Sequence, residues 1–175
     1  MEIVTITEAR RRLDGALPSY KAKIKYVTPD QALGRITARD ITAAHAYPPY
    51  RKSPFDGYAI HSHKGTTYEV VATIGAGIVY EGPVAAGQAV RLMTGCAVSG
   101  DCDTVIPQEY VDRRGTRIEV TETIKPGSNI IPIGEECKPG AIIIPAGTKL
   151  TAGALSVAVG LGNDRLPVYA KPEVL

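Results

Sequence analysis

The sequence contains no tryptophan, one phenylalanine and only three cysteines in 175 residues. An odd set of thiols, Cys96, Cys102 and Cys137, cannot pair completely. A chain of this length has no need of covalent staples, so all three read as free thiols of a reducing compartment. Cys96 and Cys102 lie too far apart for a zinc half-site and no second pair exists, so a structural zinc is not expected. No stretch approaches the roughly 18 apolar residues of a membrane span. The opening "MEIVTITEARRRL" has an acid at position 2 and no apolar run, so it lacks the export-signal pattern. Charge is nearly balanced, with 20 Lys and Arg against 18 Asp and Glu. Nucleic-acid binding calls for a basic stripe interleaved with aromatics, and none is present. The cluster Arg10, Arg11, Arg12 with Lys21, Lys23 and Lys25 reads as a solvated helix face and an exposed strand face. The glycines of "GAGIVYEGPVAAGQ" do not sit between a strand and a helix, which argues against a phosphate-binding loop. These absences together point to a cytoplasmic protein with neither a nucleic-acid nor a membrane partner.

What is present is ordinary for a globular chain: 44% hydrophobic and 22% charged residues. At this length folding hides roughly 70% of the unfolded surface, enough for one domain or two small ones. Thr5 and Glu8 have the spacing of a capping box, and Ile6, Ala9, Leu13, Ala16 and Leu17 recur at helical steps. Pro18 is expected to stop that helix. "YKAKIKYVT" alternates as a strand, with Ala22, Ile24 and Tyr26 on one side. "TPDQALG" reads as a short helix capped by Thr28, boxed by Gln31 and closed by Gly34. "RITARDI" reads as a strand. From Tyr58 to Val120 short β-branched segments alternate with turns: "YEVVATI", "QAVRLM", "DTVIPQEYV" and "TRIEVTE". "AIIIPAGTKL" is a further strand. "TAGALSVAVGLG" is a nearly all-apolar helix, capped by Thr151, of the kind normally enclosed on most sides.

The proline-rich "AYPPYRKSP" marks a boundary. The organisation is a discontinuous mixed domain, 1–47 plus 123–175, carrying an inserted β-rich, barrel-like domain, 48–122. The fold class expected is therefore α+β with strands dominant.

"RKSPFDGYAI" places one carboxylate, Asp56, between a stiff proline and a flexible glycine. It is either a plain Asp-Gly turn or an acid held at a site, and both can hold at once. Thr94, followed by Gly95 in "RLMTGCAV", either contacts an oxyanion or satisfies its own turn. Arg91 on the same strand is a second anion candidate, or a solvated side chain. Asp101, Asp103 and Glu109 cluster in "DCDTVIPQEY", but strand alternation separates neighbours, and the first two read as turn acids. His61 and His63 share a strand face, yet two ligands do not make a metal site.

The ordered blocks "ALGRITARDI", "SPFDGYAI", "GQAVRLMTGCAVSGDCDTVIPQE" and "GSNIIPIGEECKPGAIIIPAGTKL", followed by the glycine-ended helix, resemble the N-terminal half of the MoeA family. These are the molybdopterin molybdotransferases, which include the gephyrin E domain. The resemblance runs from about residue 5 to the end of the chain. It implies insertion of molybdate into adenylylated molybdopterin with release of AMP, assisted by Mg2+. It also implies a homodimer of four-domain subunits, of which this sequence covers domains I and II and lacks III and IV. The residues carried over are Asp56 as metal ligand and catalytic residue, Thr94 as a catalytic residue, and Thr94, Gly95, Glu109, Glu135 and Glu136 toward the cofactor. Arg35 and Asp40 are carried over as structural. On this analogy the piece forms one wall of a cofactor cleft, contributes to dimerisation and is silent alone. One departure stands out. Where many members carry basic residues before the glycine of "NIIPIGEEC", this chain has Ile131, Pro132 and Ile133, and Glu136 replaces Asp. Aliphatic side chains cannot pair with phosphate or molybdate. Either other residues hold the anion or the activity is lost. The alternatives are a gephyrin-like binding or scaffold module and a tungsten-handling relative.

Overall fold

In the computed structural model, which describes residues 3–16, 22–61 and 65–172, the chain divides into two compact units. One is continuous, His45–Pro139; the other joins Met1–Ala44 to Gly140–Leu175. The return crossing thus falls at 139–140, where the sequence reading put it at 122–123. Packing explains the shift. Ile124 is buried with Tyr58, Tyr68 and Ile118. Further on, Ile131 exchanges backbone hydrogen bonds with Lys52, and the Cys137 amide donates to Tyr47. Strands outnumber helices throughout, in keeping with the α+β expectation.

The unit built from both ends opens with α1 (Ile6–Ala16). The Thr5 hydroxyl accepts from the Glu8 amide at 3.2 Å, but the reciprocal half of the capping box does not form. The Glu8 carboxylate is instead held by Arg11 and Arg12, because charged donors outcompete a neutral amide. Pro18 and the start of the predicted strand at Tyr20 lie outside the described residues. β1 (Ile24–Val27) pairs antiparallel with β10 (Leu166–Tyr169). Ile24 and Tyr26 are exposed on the edge strand, while Leu166 and Val168 of its partner are buried. α2 (Pro29–Ala32) starts on its proline, and Thr28 makes no side-chain cap, contrary to the capping expected of it. Gly34 closes the turn at φ +74°, a region other residues enter at a cost.

The predicted strand "RITARDI" reduces to bridges at Ile36 and Thr37 and the two-residue β2 (Ile41–Thr42), paired with β9 (Ile142–Ile144). Buried Thr37 explains the interruption. Its hydroxyl donates to the Pro145 carbonyl at 2.8 Å and accepts from the Thr148 amide at 2.9 Å. Asp40 accepts from the Ala146 amide and Arg35 donates to the Tyr169 carbonyl. Both do the structural work expected of them. α3 (Ala152–Gly160) is capped by Thr151, whose hydroxyl accepts from the Ala154 amide. Its predicted enclosure is not found: only Ala158 is buried, while Val157 and Val159 are 49% and 50% exposed. The helix packs on α2 and β9, and within this unit neither is large enough to cover more than one stripe. The core here is small, centred on Ala32, Ile41, Ile144, Leu150, Leu166 and Val168.

The continuous unit is one six-stranded sheet. Its strands are β3 (Gly57–Ile60), β4 (Thr67–Thr73), β5 (Gln88–Leu92), β6 (Thr104–Pro107), β7 (Val111–Arg114) and β8 (Arg117–Val120). Their order is β6-β3-β5-β4-β8-β7, with β4 and β5 parallel and every other pair antiparallel. β3 is buried at all four positions because both faces of the sheet are covered. Ala59 lies level with Val90 and Val105 in one hydrophobic cluster. Tyr58 and Ile60, on the other face, pack with Ala89 and Ile106.

Candidate functional site

The site grows from the entry to β3. Gly57 stands opposite both Leu92 and Pro107, so the backbones of β5 and β6 flank it. A Cβ on Gly57 would sit 2.2 Å from the Ile106 carbonyl oxygen, so only glycine fits this approach. Upstream, the loop is nailed to the turn that follows β5. The Ser53 amide donates to the Cys96 carbonyl, the Gly95 amide donates to the Ser53 carbonyl, and the Val98 amide donates to Arg51. Buried Ser53 also folds its hydroxyl onto the Phe55 carbonyl at 2.6 Å. The turn is tight: the Cys96 amide donates to the Met93 carbonyl, and Gly95 has φ +83°.

Asp56 and Thr94 meet across this junction. One oxygen of Asp56, Oδ1, accepts from the Thr94 amide at 2.7 Å and from the Thr94 hydroxyl at 2.8 Å. The amide bond, then the hydroxyl bond, then the positive charge of Arg91 hold the Asp56 carboxyl below its ordinary value. It is therefore ionised throughout the neutral range. The arrangement refines the role of Thr94. A hydroxyl has one proton to give, and this one goes to Asp56. The Gly95 amide is likewise spent on Ser53. The Thr94 donors are thus turned to the carboxylate and the Gly95 amide to the Ser53 carbonyl.

Glu109 follows β6 on a single turn, Gln108–Tyr110, fastened beside the acid because the Gln108 amide donates to the Asp56 carbonyl. Glu135 and Glu136 come from a separate loop, turned by Gly134 at φ +73° and bonded to Tyr47 and Pro48. Glu136 reaches the Asp56 loop through an ion pair with Lys52 at 3.1 Å. Lys52 is the residue the sequence did not signal. It is paired with Ile131 and its ammonium lies 5.4 Å from the Tyr47 ring. The Lys52 ammonium is thus held by Glu136 and Tyr47, on a segment whose backbone bridges to Ile131. Only strand register reveals this.

The remaining candidates disperse. Asp101 accepts from the Val84 amide and Asp103 from the Thr104 hydroxyl, as turn acids do. The His61 ring nitrogen Nδ1 faces the Asp101 carbonyl, and His63 lies outside the described residues. Cys102 is buried, and that burial pushes its thiol up to about 12, so it is no nucleophile at neutral pH. Among the described residues no group of three or more His, Cys, Asp or Glu side chains could hold a metal. The donor set around Asp56 still fits Mg2+. That ion keeps most of its waters and takes one or two carboxylates plus substrate phosphate. The second Asp56 oxygen accepts no hydrogen bond from a described residue. A site for a caged metal is not what the residues provide.

Comparison with known proteins gives a consistent picture. The family described as "MoeA N-terminal region (domain I and II)" matches residues 4–162. A molybdopterin molybdenumtransferase of Bacillus subtilis (strain 168) is 30% identical over 166 residues, covering 88% of this chain and 39% of the relative. One from Staphylococcus epidermidis is 36% identical over 109 residues, 58% of this chain and 26% of that protein. Among solved structures, a molybdopterin biosynthesis MoeA protein from Pyrococcus horikoshii OT3 is similar with a TM-score of 0.80 and 30% identity. That match covers 93% of this chain and 46% of the other. The chain spans less than half the length of each of these relatives.

Proposed function

The chain belongs to the family of MoeA N-terminal regions, and from that premise we propose that it serves molybdenum insertion into molybdopterin. Its units correspond on this reading to domains I and II, with the continuous β unit presenting the Asp56–Thr94 pair to the substrate. The observation that carries the proposal is the double hydrogen bond from Thr94 to a single oxygen of Asp56. It joins the two strongest family motifs, far apart in sequence, into one preorganised, ionised carboxylate.

The roles follow from that geometry. Asp56 supplies a fixed negative charge whose second oxygen, free of hydrogen bonds from described residues, would hold a hydrated Mg2+. When bound, that ion neutralises phosphate charge on the adenylylated substrate. Thr94 is a positioning residue, holding the carboxylate in one rotamer and keeping it deprotonated. Glu109 sits on the neighbouring turn and offers a further acceptor. Lys52, tied to Glu136, supplies the positive charge that molybdate or phosphate needs in place of basic side chains at 131–133. Its presence favours the enzymatic reading over a binding module that has shed its anion site. Completion of the site by further domains and by a second subunit, magnesium dependence and a cytoplasmic setting belong to this same proposal. Among the described residues no helix is long and apolar enough to cross a membrane, which accords with it.

The test is a chimera. This chain replaces the corresponding region of the Bacillus subtilis relative, and molybdenum insertion is measured in a strain lacking its own transferase. The parent chimera is expected to restore molybdoenzyme activity. Asp56→Ala is expected to reduce it at least about 100-fold, the scale on which loss of a preorganised charged group at a reacting centre is felt, with the fold intact by circular dichroism. Full activity of the Asp56→Ala chimera would remove this residue from the site.

A further inference from the structure

Ser53 is one of three buried polar side chains among the described residues, and it stands just upstream of Asp56. The other two, Thr37 and Thr104, bond to neither loop of the site. Hiding a hydroxyl costs free energy unless its hydrogen bonds are made. The Ser53 hydroxyl makes both of its own with one residue. It donates to the Phe55 carbonyl at 2.6 Å and accepts from the Phe55 amide at 3.2 Å. Pro54 has no amide proton, so Phe55 offers the first backbone donor after Ser53. The Ser53 backbone reaches the other way. Its amide donates to the Cys96 carbonyl at 3.0 Å, and its carbonyl accepts from the Gly95 amide at 2.8 Å. One residue therefore grips the turn that carries Thr94 with its backbone and the loop that carries Asp56 with its side chain.

What the hydroxyl fixes is direction. The Phe55 carbonyl and the Asp56 nitrogen belong to one planar peptide unit. The bond from Ser53 restricts rotation of that plane. The next plane, between Asp56 and Gly57, is restricted too, because the Asp56 carbonyl accepts from the Gln108 amide at 3.0 Å. With the planes before and after it held, Asp56 keeps little backbone freedom and its Cβ points one way. Only the side-chain torsions are left, and the Thr94 amide and hydroxyl close those at 2.7 Å and 2.8 Å. Without the Ser53 hydroxyl the first plane can turn. The carboxylate then drifts from donors whose bonds weaken beyond about 3.2 Å.

We infer that Ser53 is a positioning residue for the Asp56 carboxylate, presetting its backbone so that both Thr94 donors meet one oxygen before any substrate arrives. The inference rests on the reading of Asp56 as the carboxylate of the site, and it extends that site to a buried side chain that touches no substrate.

The experiment has two arms. The first follows amide hydrogen exchange by NMR in the 175-residue chain. In the unaltered chain the Thr94 amide is expected to be protected, although its residue is exposed. Ser53→Ala is expected to speed its exchange at least about tenfold, the weight of one hydrogen bond, while Ala59 and Val90 in the paired strands keep their protection. Ser53→Cys, nearly the same shape with a weaker donor, is the gentler second variant and is expected to show a smaller loss at the same amide. An unprotected Thr94 amide in the unaltered chain, unchanged exchange in both variants, or protection lost evenly across the sheet would each overturn the proposal. The last result would make Ser53 a general brace of the unit.

The second arm uses the chimera with the Bacillus subtilis relative. Ser53→Ala is expected to lower molybdenum insertion at least about tenfold, yet to cost nothing further beside Asp56→Ala, because a residue that acts through another loses its effect once the other is gone. Additive losses would overturn it. Full activity of the Asp56→Ala chimera would remove the functional reading, and exchange at Thr94 would still decide whether Ser53 presets the carboxylate.

Discussion

Asp56 shows how a single turn can set the state of an acid. Its carboxyl lies below the ordinary range first through the Thr94 amide, then through the Thr94 hydroxyl. Thr94→Val removes only the second, so the Asp56 pKa is expected to rise part of the way back. A carbon-detected NMR titration of the side-chain carboxyl measures it, and an unchanged value would deny the hydroxyl any role. The sign of the linkage follows from the depressed folded value. The stabilisation is complete above the unfolded carboxylate pKa and fades as pH falls through the lower folded one. The pH window of loss therefore lies below the usual carboxylate range and does not touch the neutral region. Both residues were legible in the sequence because each sits in a motif with its own glycine. The bond between them was not, because motif reading assigns side chains to ligands before it asks whether they satisfy each other. Lys52 was illegible for a related reason: its place opposite Ile131 is a property of register.

Elements were legible where local chemistry decides them and less so where neighbours do. Most strands of the continuous unit fall where β-branched runs and turn residues place them, and the Thr151 cap forms as spaced, but the run "DTVIPQEYV", read as one strand, breaks at the turn Gln108–Tyr110 into β6 and the start of β7. The capping box at Thr5 half fails because Glu8 has two arginines within reach. The exposure of α3 was hidden for the opposite reason. Apolar composition says that a helix prefers cover, but not how much of it the surrounding unit can supply. Entry to β3 is the element on which the site depends most. Gly57→Ala forces a methyl against the backbone of β6, since that Cβ would meet the Ile106 oxygen at 2.2 Å. Backbone cannot yield as a side chain tip can, so a loss of about 2–4 kcal/mol is expected, in the upper range for overpacking. Urea denaturation measures it. A loss under about 0.5 kcal/mol, the scale of a neutral surface change, would mean that the strands do not approach so closely.

At the scale of the molecule, the division into units predicts unequal independence. The continuous unit, His45–Pro139, closes its own ends, with Tyr47 bridged to Cys137. It also holds two hydrophobic clusters of its own. Excised, it is expected to melt cooperatively and to keep the Thr94–Asp56 bond, read as a low Asp56 pKa by NMR; a broad, non-cooperative melt would deny it domain status. The prolines of "AYPPYRKSP" mark the insertion, while its exit, read at 122–123, falls in the structure at 139–140, because packing binds Ile124 inward and no local signal shows it. The other unit is sewn from distant ends: β1 waits for β10, and β2 for β9. On a ribosome that order has a consequence. The first forty-odd residues emerge with nothing to pair against, the β module completes itself while they idle, and the opening segment finds its partners only once β9 and β10 have been made. Nascent chains of this protein would then depend on chaperone cover at their amino end until those strands emerge.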